Sequence, residues 1–114
     1  MVQLFVTLTA QPDRLHCTVQ ALRALILSAQ LDRRCVRAQV YAEVADPGAI
    51  CYLEEWSSRD DMSDLVCSVR FMRLLAVIET AANPPVIEFR FVSETRGLEY
   101  VAALRTDSAS PGPP

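Results

Sequence analysis

The stretch VRAQVYAEVADPGAICYLEEW, residues 36–56, predicts two strands joined by a turn. In its first half, Val and Ala alternate with polar or aromatic residues, and a period of two is typical of a strand. Asp46-Pro47-Gly48 is a strong turn signal, after which residues 49–56 return as a second strand. Because the two strands are short and closely linked, we expect a hairpin in the middle of the chain.

Upstream of this hairpin, the chain predicts one more strand and a helix. Val2–Ala10 alternates between an apolar row and a row that contains Phe5, as a strand does. Gln11-Pro12-Asp13 begins the helix, since Pro is favoured in a first turn and Asp suits the positive end of the helix dipole. The apolar stripe of the helix consists of Leu15, Val19, Leu22, Ile26 and Ala29.

Downstream of the hairpin, the pattern predicts a second helical region and a fourth strand. Ser58, with Asp61 three residues later, resembles a capping box. Apolar residues between positions 62 and 78 predict a helix, or a helix broken near Ser68, that ends at Asn83-Pro84-Pro85. Residues 86–92 are the fourth predicted strand, and residues 97–104 could add a short helix or an arm.

The order of these elements is β-α-β-β-α-β, which is the ferredoxin-like plan of an α+β protein. This plan has an antiparallel sheet with the strand order 4-1-3-2 and both helices on one face. We expect residues 1–105 to form one such domain, because a chain of 114 residues lies near the commonest domain size. Residues 106–114, TDSASPGPP, are rich in Pro, Gly and Ser and are predicted to be a disordered tail.

The sheet face away from the helices is predicted to carry Phe5, Tyr41 and Trp56 among polar residues. Three aromatic side chains are unfavourable to leave in water, and a second copy of the chain could cover them through a self-complementary two-fold contact. A monomer with scattered surface aromatics is the alternative. Glu88 and Arg90 lie on one side of the fourth strand and are expected to form a structural ion pair at this surface.

Composition bounds the function further. A net charge of −3 argues against nucleic acid or an anionic membrane as partner, since both select clustered positive charge. No segment reaches the roughly 18–20 apolar residues of a membrane span, and the N-terminus has no signal-peptide pattern, so we expect a cytoplasmic location.

His16 is the only histidine and there is no CxxC pair, so no zinc site is expected. The cysteines are predicted to be reduced, small apolar fillers: Cys17, Cys35, Cys51 and Cys67.

Several short motifs resemble the antibiotic biosynthesis monooxygenase family. Residues 51–61, CYLEEWSSRDD, look like the family's strand that ends in an aromatic-x-x-Glu-Trp run and leads into a capped helix. Residues 34–41 are similar to its Gly-Cys-x-x-Tyr entry into the second strand. Residues 68–71 resemble its Ser-x-His-Phe segment, and residues 84–86 the lead into its last strand. The resemblance spans about residues 2–92.

The resemblance implies a homodimer whose two sheets close into a barrel, with an apolar pocket between the sheet and helices of each subunit. Members of the family oxidise phenolic, anthrone or quinol-type substrates with molecular oxygen and without metal or flavin, so no cofactor is expected. Such chemistry needs a dry aromatic cavity, a proton acceptor and a few hydrogen-bond donors. Relatives degrade heme, but His16 is the only candidate ligand here and is poorly placed for that role.

The resemblance also suggests the site residues. The expected substrate-binding residues are Tyr52, Trp56, Arg70 and Phe71, and the expected dimer interface consists of Phe5, Tyr41, Glu88 and Arg90. Arg70 stands where the family often has His, and because arginine stays protonated it could fix a phenolate but not accept a proton. No catalytic residue is assigned, since His16 is expected to be exposed or at a boundary.

Two neighbouring carboxylates are weighed as an acid/base pair. Glu54 and Glu55 are adjacent in a strand and therefore point to opposite faces, so they do not form such a pair. Tyr52, Glu54 and Trp56, by contrast, share one face by strand spacing and could line one cavity.

Two functions follow from these expectations. The first is a cofactor-independent monooxygenase that acts on a small aromatic, phenolic or quinol-type substrate. The alternative is a non-catalytic dimeric protein of the same fold that binds a small ligand, or serves as an accessory, after losing the catalytic base.

Overall fold

The computed structural model describes residues 1–109 as an alternation of strands and helices. The strands are β1 (Val2–Thr9), β2 (Cys35–Ala42), β3 (Ala49–Trp56) and β4 (Val86–Phe91). The helices are α1 (Leu15–Gln30), α2 (Arg59–Val66), α3 (Val69–Ile78) and α4 (Leu98–Ala109), and a single 3-10 turn at Pro12–Arg14 leads into α1. Each predicted strand and both predicted helical regions are present.

The four strands form one antiparallel sheet in the order β2-β3-β1-β4. This is the predicted order 4-1-3-2, and the α+β ferredoxin-like fold is therefore confirmed. In the register of the sheet, Val2 of β1 lies opposite Trp56 of β3 and Phe91 of β4. Gly48 closes the β2–β3 turn with a φ of 95°, a backbone conformation that favours glycine.

The core lies between the sheet and helices α1 and α3. The apolar row predicted for β1 is buried throughout, and Leu22, Ile26 and Ala29 of α1 pack against it as predicted. Leu15, assigned to the same stripe, is exposed because it is the first residue of the helix. Thr18 and Leu25 take part in the buried face instead.

Trp56 lies on the helix side of the sheet and not on the open face, where it was predicted. The register pairs Trp56 with Val2, whose side chain is in the core, and Trp56 is only 1% exposed. Side chains alternate along a strand, so Trp56 shares its side with Tyr52 while Leu53 shares the other side with Phe5.

The second helical region is broken, as the sequence allowed, into α2 and α3. The hydroxyl of Ser58 accepts a hydrogen bond from the amide of Asp61 (3.1 Å), which caps α2. The hydroxyl of Ser68 accepts from the amide of Phe71 (3.2 Å) and thereby starts α3. These caps satisfy amides that the first turn of a helix leaves without a partner.

The C-terminal part of the chain differs from the prediction. Helix α4 continues to Ala109, so residues 106–109 are helical where a disordered tail was expected. Residues 110–114 lie outside the described part of the chain. Side chains 98–107 of α4 are all exposed, and the molecule extends 60 Å along its longest axis but only 34 and 21 Å across it.

The cysteines are only partly the apolar fillers that were predicted. All four are free thiols; Cys51 is buried and Cys35 half-buried, but Cys17 and Cys67 are exposed. Cys17 lies on the solvent side of α1, and Cys67 directly follows the last residue of α2, so neither thiol is covered by packing. His16 is exposed, as predicted. Among residues 1–109, no helix is long and apolar enough to cross a membrane.

We predict that each serine cap stabilises the domain by about 1 kcal/mol. Replacing Ser58→Ala or Ser68→Ala should lower the free energy of unfolding by that amount, because the capped amide loses its acceptor. Ser63→Ala, on the exposed side of α2, serves as the matched control and should change the free energy by less than about 0.5 kcal/mol. Chemical denaturation measures the free energy of unfolding of all three variants. Equal losses at the three serines would contradict the role of Ser58 and Ser68 as caps.

Candidate functional site

The centre of the candidate site is a buried carboxylate, that of Glu54 in β3. Glu54 is 0% exposed because β3 is an inner strand and its neighbours across the sheet are Leu4 and Ala38. Strand alternation places its side chain on the helix side, between Tyr52 and Trp56. A carboxylate in such a place is costly unless donors surround it.

Three side chains donate hydrogen bonds to this carboxylate. The Tyr52 hydroxyl donates to Oε2, and the Trp56 indole Nε1–H donates to Oε1 at 3.1 Å. The Arg70 guanidinium donates to Oε2 at 2.8 Å and supplies the opposite charge. No buried side-chain polar atom in the described part of the chain lacks a hydrogen-bond partner, so the desolvation of Glu54 is compensated.

Arg70 connects this buried cluster to the surface. It is the second residue of α3, which Ser68 caps, and its side chain is 15% exposed. Its guanidinium carbon lies 5.7 Å from the centre of the Trp56 ring, within the range of a cation–π contact. Burial alone lowers the pKa of Arg70, but the hydrogen bond to Glu54 and its charge outweigh this, and the pKa is raised overall. The cation is therefore permanent.

Two further titratable groups of the cluster, Tyr52 and Cys35, are held neutral at neutral pH. Burial, followed by the charge of Glu54 and the hydrogen bond to it, raises the pKa of Tyr52 well above its usual range. Burial and the same charge raise the pKa of the Cys35 thiol to about 11. At neutral pH Tyr52 is consequently a hydrogen-bond donor and not a phenolate base, and Cys35 is not a thiolate nucleophile.

Arg34 covers the outer side of the cluster. Its guanidinium carbon lies 5.9 Å from the Trp56 ring centre, and its nitrogens pair with Asp32 (3.0 Å) and Asp64 of α2 (2.8 Å). The hydrogen bonds from Arg34 lower the pKa of Asp32. This surface network ties the start of β2 to α2 above Trp56.

A groove between α1 and α3 reaches Arg70 from the solvent. Its volume is about 270 Å³, close to the lower limit of small-molecule pockets. Arg70 and Arg73 supply its charge, and the remaining lining residues are Ala21, Ala24, Leu25, Ser28 and Val77. A small anion or phenol could therefore approach the guanidinium of Arg70 here.

The open face of the sheet holds a second, separate set of polar contacts. Glu55 lies there, opposite to Glu54 as predicted, and accepts hydrogen bonds from Gln3 (2.8 Å) and Arg37 (2.9 Å). The predicted Glu88–Arg90 pair forms at 2.8 Å, and Arg90 lies 4.3 Å over the Phe5 ring. Tyr41 is also on this face and is 45% exposed.

In residues 1–109, no three His, Cys, Asp or Glu side chains come together as metal ligands would.

Solved structures share this architecture. A protein from Deinococcus radiodurans, named as a candidate antibiotic biosynthesis monooxygenase, aligns with 85% of this chain and 97% of its own, with a TM-score of 0.77 and 16% identity. A protein from Caulobacter crescentus, named in the same way, aligns with 82% of this chain and 90% of its own, with a TM-score of 0.71 and 22% identity. The chain has the fold of the antibiotic biosynthesis monooxygenases. No protein-family model matches its sequence, and a search of curated proteins finds no match.

Within this monooxygenase fold, the structure brings together three of the four expected substrate-binding residues. Tyr52, Trp56 and Arg70 meet around Glu54, whereas Phe71 packs into the core beside them. From the sequence, Glu54 was expected on the same face as Tyr52 and Trp56 but not as their common hydrogen-bond acceptor. The sequence does contain a pattern that could have identified it. Glu54 lies two positions from both Tyr52 and Trp56, and a carboxylate that is buried in an inner strand needs such hydrogen-bond donors on its own face.

We predict that Arg70→Met alone lowers the free energy of unfolding by about 3–5 kcal/mol, because it leaves the Glu54 carboxylate buried without a cation. The double variant Glu54→Leu with Arg70→Met should recover most of that loss, since no charge is then buried. Arg73→Met, on the exposed side of α3, is the control for loss of an arginine. Denaturant titrations of the wild type, Glu54→Leu, Arg70→Met, the double variant and Arg73→Met measure these effects. The account would be contradicted if the two single effects at positions 54 and 70 simply added.

The thiols should also differ in reactivity. At neutral pH, we predict that an alkylating reagent modifies the exposed Cys17 and Cys67 first, while Cys35 and the buried Cys51 react slowly. The raised pKa of Cys35 leaves little thiolate at neutral pH, so its reaction should accelerate as the pH approaches about 11. Peptide mass mapping after timed labelling measures this, and early modification of Cys35 at neutral pH would contradict it.

Proposed function

We propose that this protein is a cofactor-independent monooxygenase that acts on a small aromatic, phenolic or quinol-type substrate with molecular oxygen. The observation that supports this most is the position of Arg70, which joins a buried carboxylate to a solvent-accessible groove. The likeness of the fold to proteins named as antibiotic biosynthesis monooxygenases also supports it. Tyr52, Trp56, Arg70 and Phe71 are the proposed substrate site.

Arg70 is the residue that would contact the substrate. A phenol or enol oxygen in the groove would accept a hydrogen bond from the guanidinium, whose charge lowers the pKa of the bound group and favours its anion. That anion supplies the electrons for oxygen. For an anthrone-like substrate, one oxygen atom converts a CH2 group to C=O, and the other leaves as water with the two hydrogens removed.

The aromatic residues would not contact the substrate but would hold Arg70 in position. Tyr52 and Trp56 hold the Glu54 carboxylate, and Glu54 in turn fixes the guanidinium through a 2.8 Å hydrogen bond. Phe71, the residue after Arg70, is buried in the core and would keep water from the buried side. A guanidinium fixed in this way needs little reorganisation when a negative charge develops on the substrate.

A binding protein without turnover is the second candidate, and one specific observation favours it. The Glu54 carboxylate already accepts three hydrogen bonds, and the only imidazole, that of His16, is exposed on α1. Proton removal would then depend on solvent and on the charge of Arg70. A protein with this site would fix a small anionic or phenolic ligand even without oxidising it.

We also propose that the protein works as a homodimer that covers the open sheet face. The proposed contacts are four residues of that face: Phe5, Tyr41, Glu88 and Arg90. Two observations support them: Tyr41 is half exposed, and Arg90 contacts both the Phe5 ring and the Glu88 carboxylate, so that the three side chains form one surface. The cytoplasmic location stays a prediction.

Oxygen uptake by metal-stripped protein with a panel of anthrone-like and quinol substrates tests the enzymatic proposal. We expect turnover that rises with pH up to the ionisation of the substrate itself. Arg70→Gln should lower kcat/KM by roughly 10–100-fold, the value of a lost charged hydrogen bond. Arg70→Lys should retain part of the activity, and Arg105→Gln on α4 is the control for charge.

The same panel separates the two candidates. Saturable binding that Arg70→Gln weakens, without oxygen uptake by any protein, would favour the binding function. Turnover that is unchanged in Arg70→Gln would contradict the role of this site in either function.

A further inference from the structure

The groove at Arg70 continues along the pair of helices α1 and α3. A second groove of about 250 Å³ lies between the same two helices, and Ala21 of α1 and Val77 of α3 line both. The α1 residues that line them recur every three or four positions and so share one face of the helix: Cys17, Ala21, Ala24 and Ser28. Since Cys17 and Ser28 both belong to α1, the rise of the helix makes the combined space, the inter-helix groove, about 16 Å long.

The inter-helix groove is basic at both ends. Arg70 and Arg73 lie at the end that contains Ser28, and Arg14 lies with Cys17 at the other end. Arg70 pairs with Glu54, but in the described part of the chain neither Arg14 nor Arg73 forms an ion pair. No described Asp or Glu lines the groove. A ligand with negative charge at two separated positions is complementary to this arrangement.

A buried hydroxyl faces the groove near Arg14. Thr18 of α1 lines the groove, although it is only 5% exposed. Within residues 1–109 its hydroxyl has no hydrogen-bond partner, yet no fully buried side-chain oxygen or nitrogen there lacks one. The small exposed part of Thr18 therefore includes the hydroxyl, which points into the groove. A threonine hydroxyl can donate one hydrogen bond and accept others, so it is available to a ligand.

The middle of the groove is apolar and has short side chains. Ala21 and Ala24 of α1 face Ala76 and Val77 of α3, so the space between the two basic ends can hold the apolar body of a ligand. A single-ring phenol at Arg70 would occupy only one end of the groove. The two parts of the groove together reach the volume that is usual for small-molecule sites.

We propose that the inter-helix groove binds an elongated aromatic carboxylic acid, whose phenolic oxygen lies at Arg70 and Arg73 and whose carboxylate lies at Arg14 and Thr18. The guanidinium of Arg14 can donate two parallel hydrogen bonds to a carboxylate, and the Thr18 hydroxyl can donate a third. The inference rests on the function proposed for Arg70 and narrows the class of substrate to acids that span the groove.

Two anthraquinone probes test the site without turnover, because they already carry the C=O group that oxidation of an anthrone produces. One is a dihydroxyanthraquinone with a carboxyl group on a propyl chain, and the other lacks the carboxyl group. Calorimetric titration of the full chain should give a Kd about tenfold lower for the carboxylated probe, as expected for one charged hydrogen-bonded contact.

Variants at the Arg14 end identify that contact. Arg14→Gln should raise the Kd of the carboxylated probe about tenfold and leave the Kd of the other probe unchanged. Thr18→Val keeps the shape of the side chain and should raise the same Kd by roughly threefold, since one hydrogen bond is lost. Arg23→Gln is the matched control, because Arg23 is also an exposed arginine of α1 but lines a different groove beside β2. It should change neither Kd.

The thiol of Cys17 gives a second readout, since it lines the groove whereas the exposed Cys67 does not. With the carboxylated probe at about ten times its Kd, alkylation of Cys17 should slow about tenfold, because only the free protein reacts. Alkylation of Cys67 should keep its rate.

The outcomes separate this inference from the function on which it rests. Equal affinity for the two probes, unchanged in Arg14→Gln and without protection of Cys17, would overturn the elongated site and leave the role of Arg70 intact. Failure of both probes to bind would overturn the elongated site and the binding role of Arg70 together. Binding and protection as expected, in a protein that consumes no oxygen with any anthrone or quinol, would support the site and contradict only the monooxygenase.

Discussion

The buried carboxylate of Glu54 is the constraint on which the rest of the site depends. A charge with 0% exposure is tolerated only because a phenol, an indole and a guanidinium all donate to it. That requirement orients Tyr52 and Trp56 within β3 and ties α3 to the sheet through Arg70. The serine cap of Ser68 belongs to the same arrangement, because it starts α3 where Arg70 can reach Glu54.

The same interaction limits the chemistry that the site can perform. Arg70 remains a cation, and Tyr52 and Cys35 remain neutral near pH 7, so the cluster offers fixed positive charge and no free proton acceptor. An arrangement of this kind suits the binding and stabilisation of an anion that forms on a ligand. A substrate that reduces oxygen as its own anion needs little more from the protein, which is the basis of the proposed oxidation; the same site also suits binding without turnover.

Much of the fold could be predicted because local patterns agree with it: the alternation in residues 36–56, the turn at Gly48 and the serine caps each determine one element. The errors arise where burial depends on distant elements. The alternation of β3 placed Tyr52 and Glu54 on the correct face of the sheet. The face on which Trp56 lies became clear only from the register of the sheet, which pairs Trp56 with the buried Val2. Cys17 and Cys67 are apolar by type but have nothing packed over them. For the site, three of its members were predicted, but their common acceptor emerges only when α3 is docked on the sheet.

Hydrogen exchange of the Trp56 indole tests the central claim most directly. Trp56 is the only tryptophan, so a nitrogen–proton correlation spectrum contains one indole signal. If its N–H is buried and bound to Glu54, the signal should exchange only through global unfolding and should exchange much faster in Glu54→Leu. Rapid exchange in the wild type under stable conditions would show that the indole does not donate to a buried carboxylate, and would contradict the account.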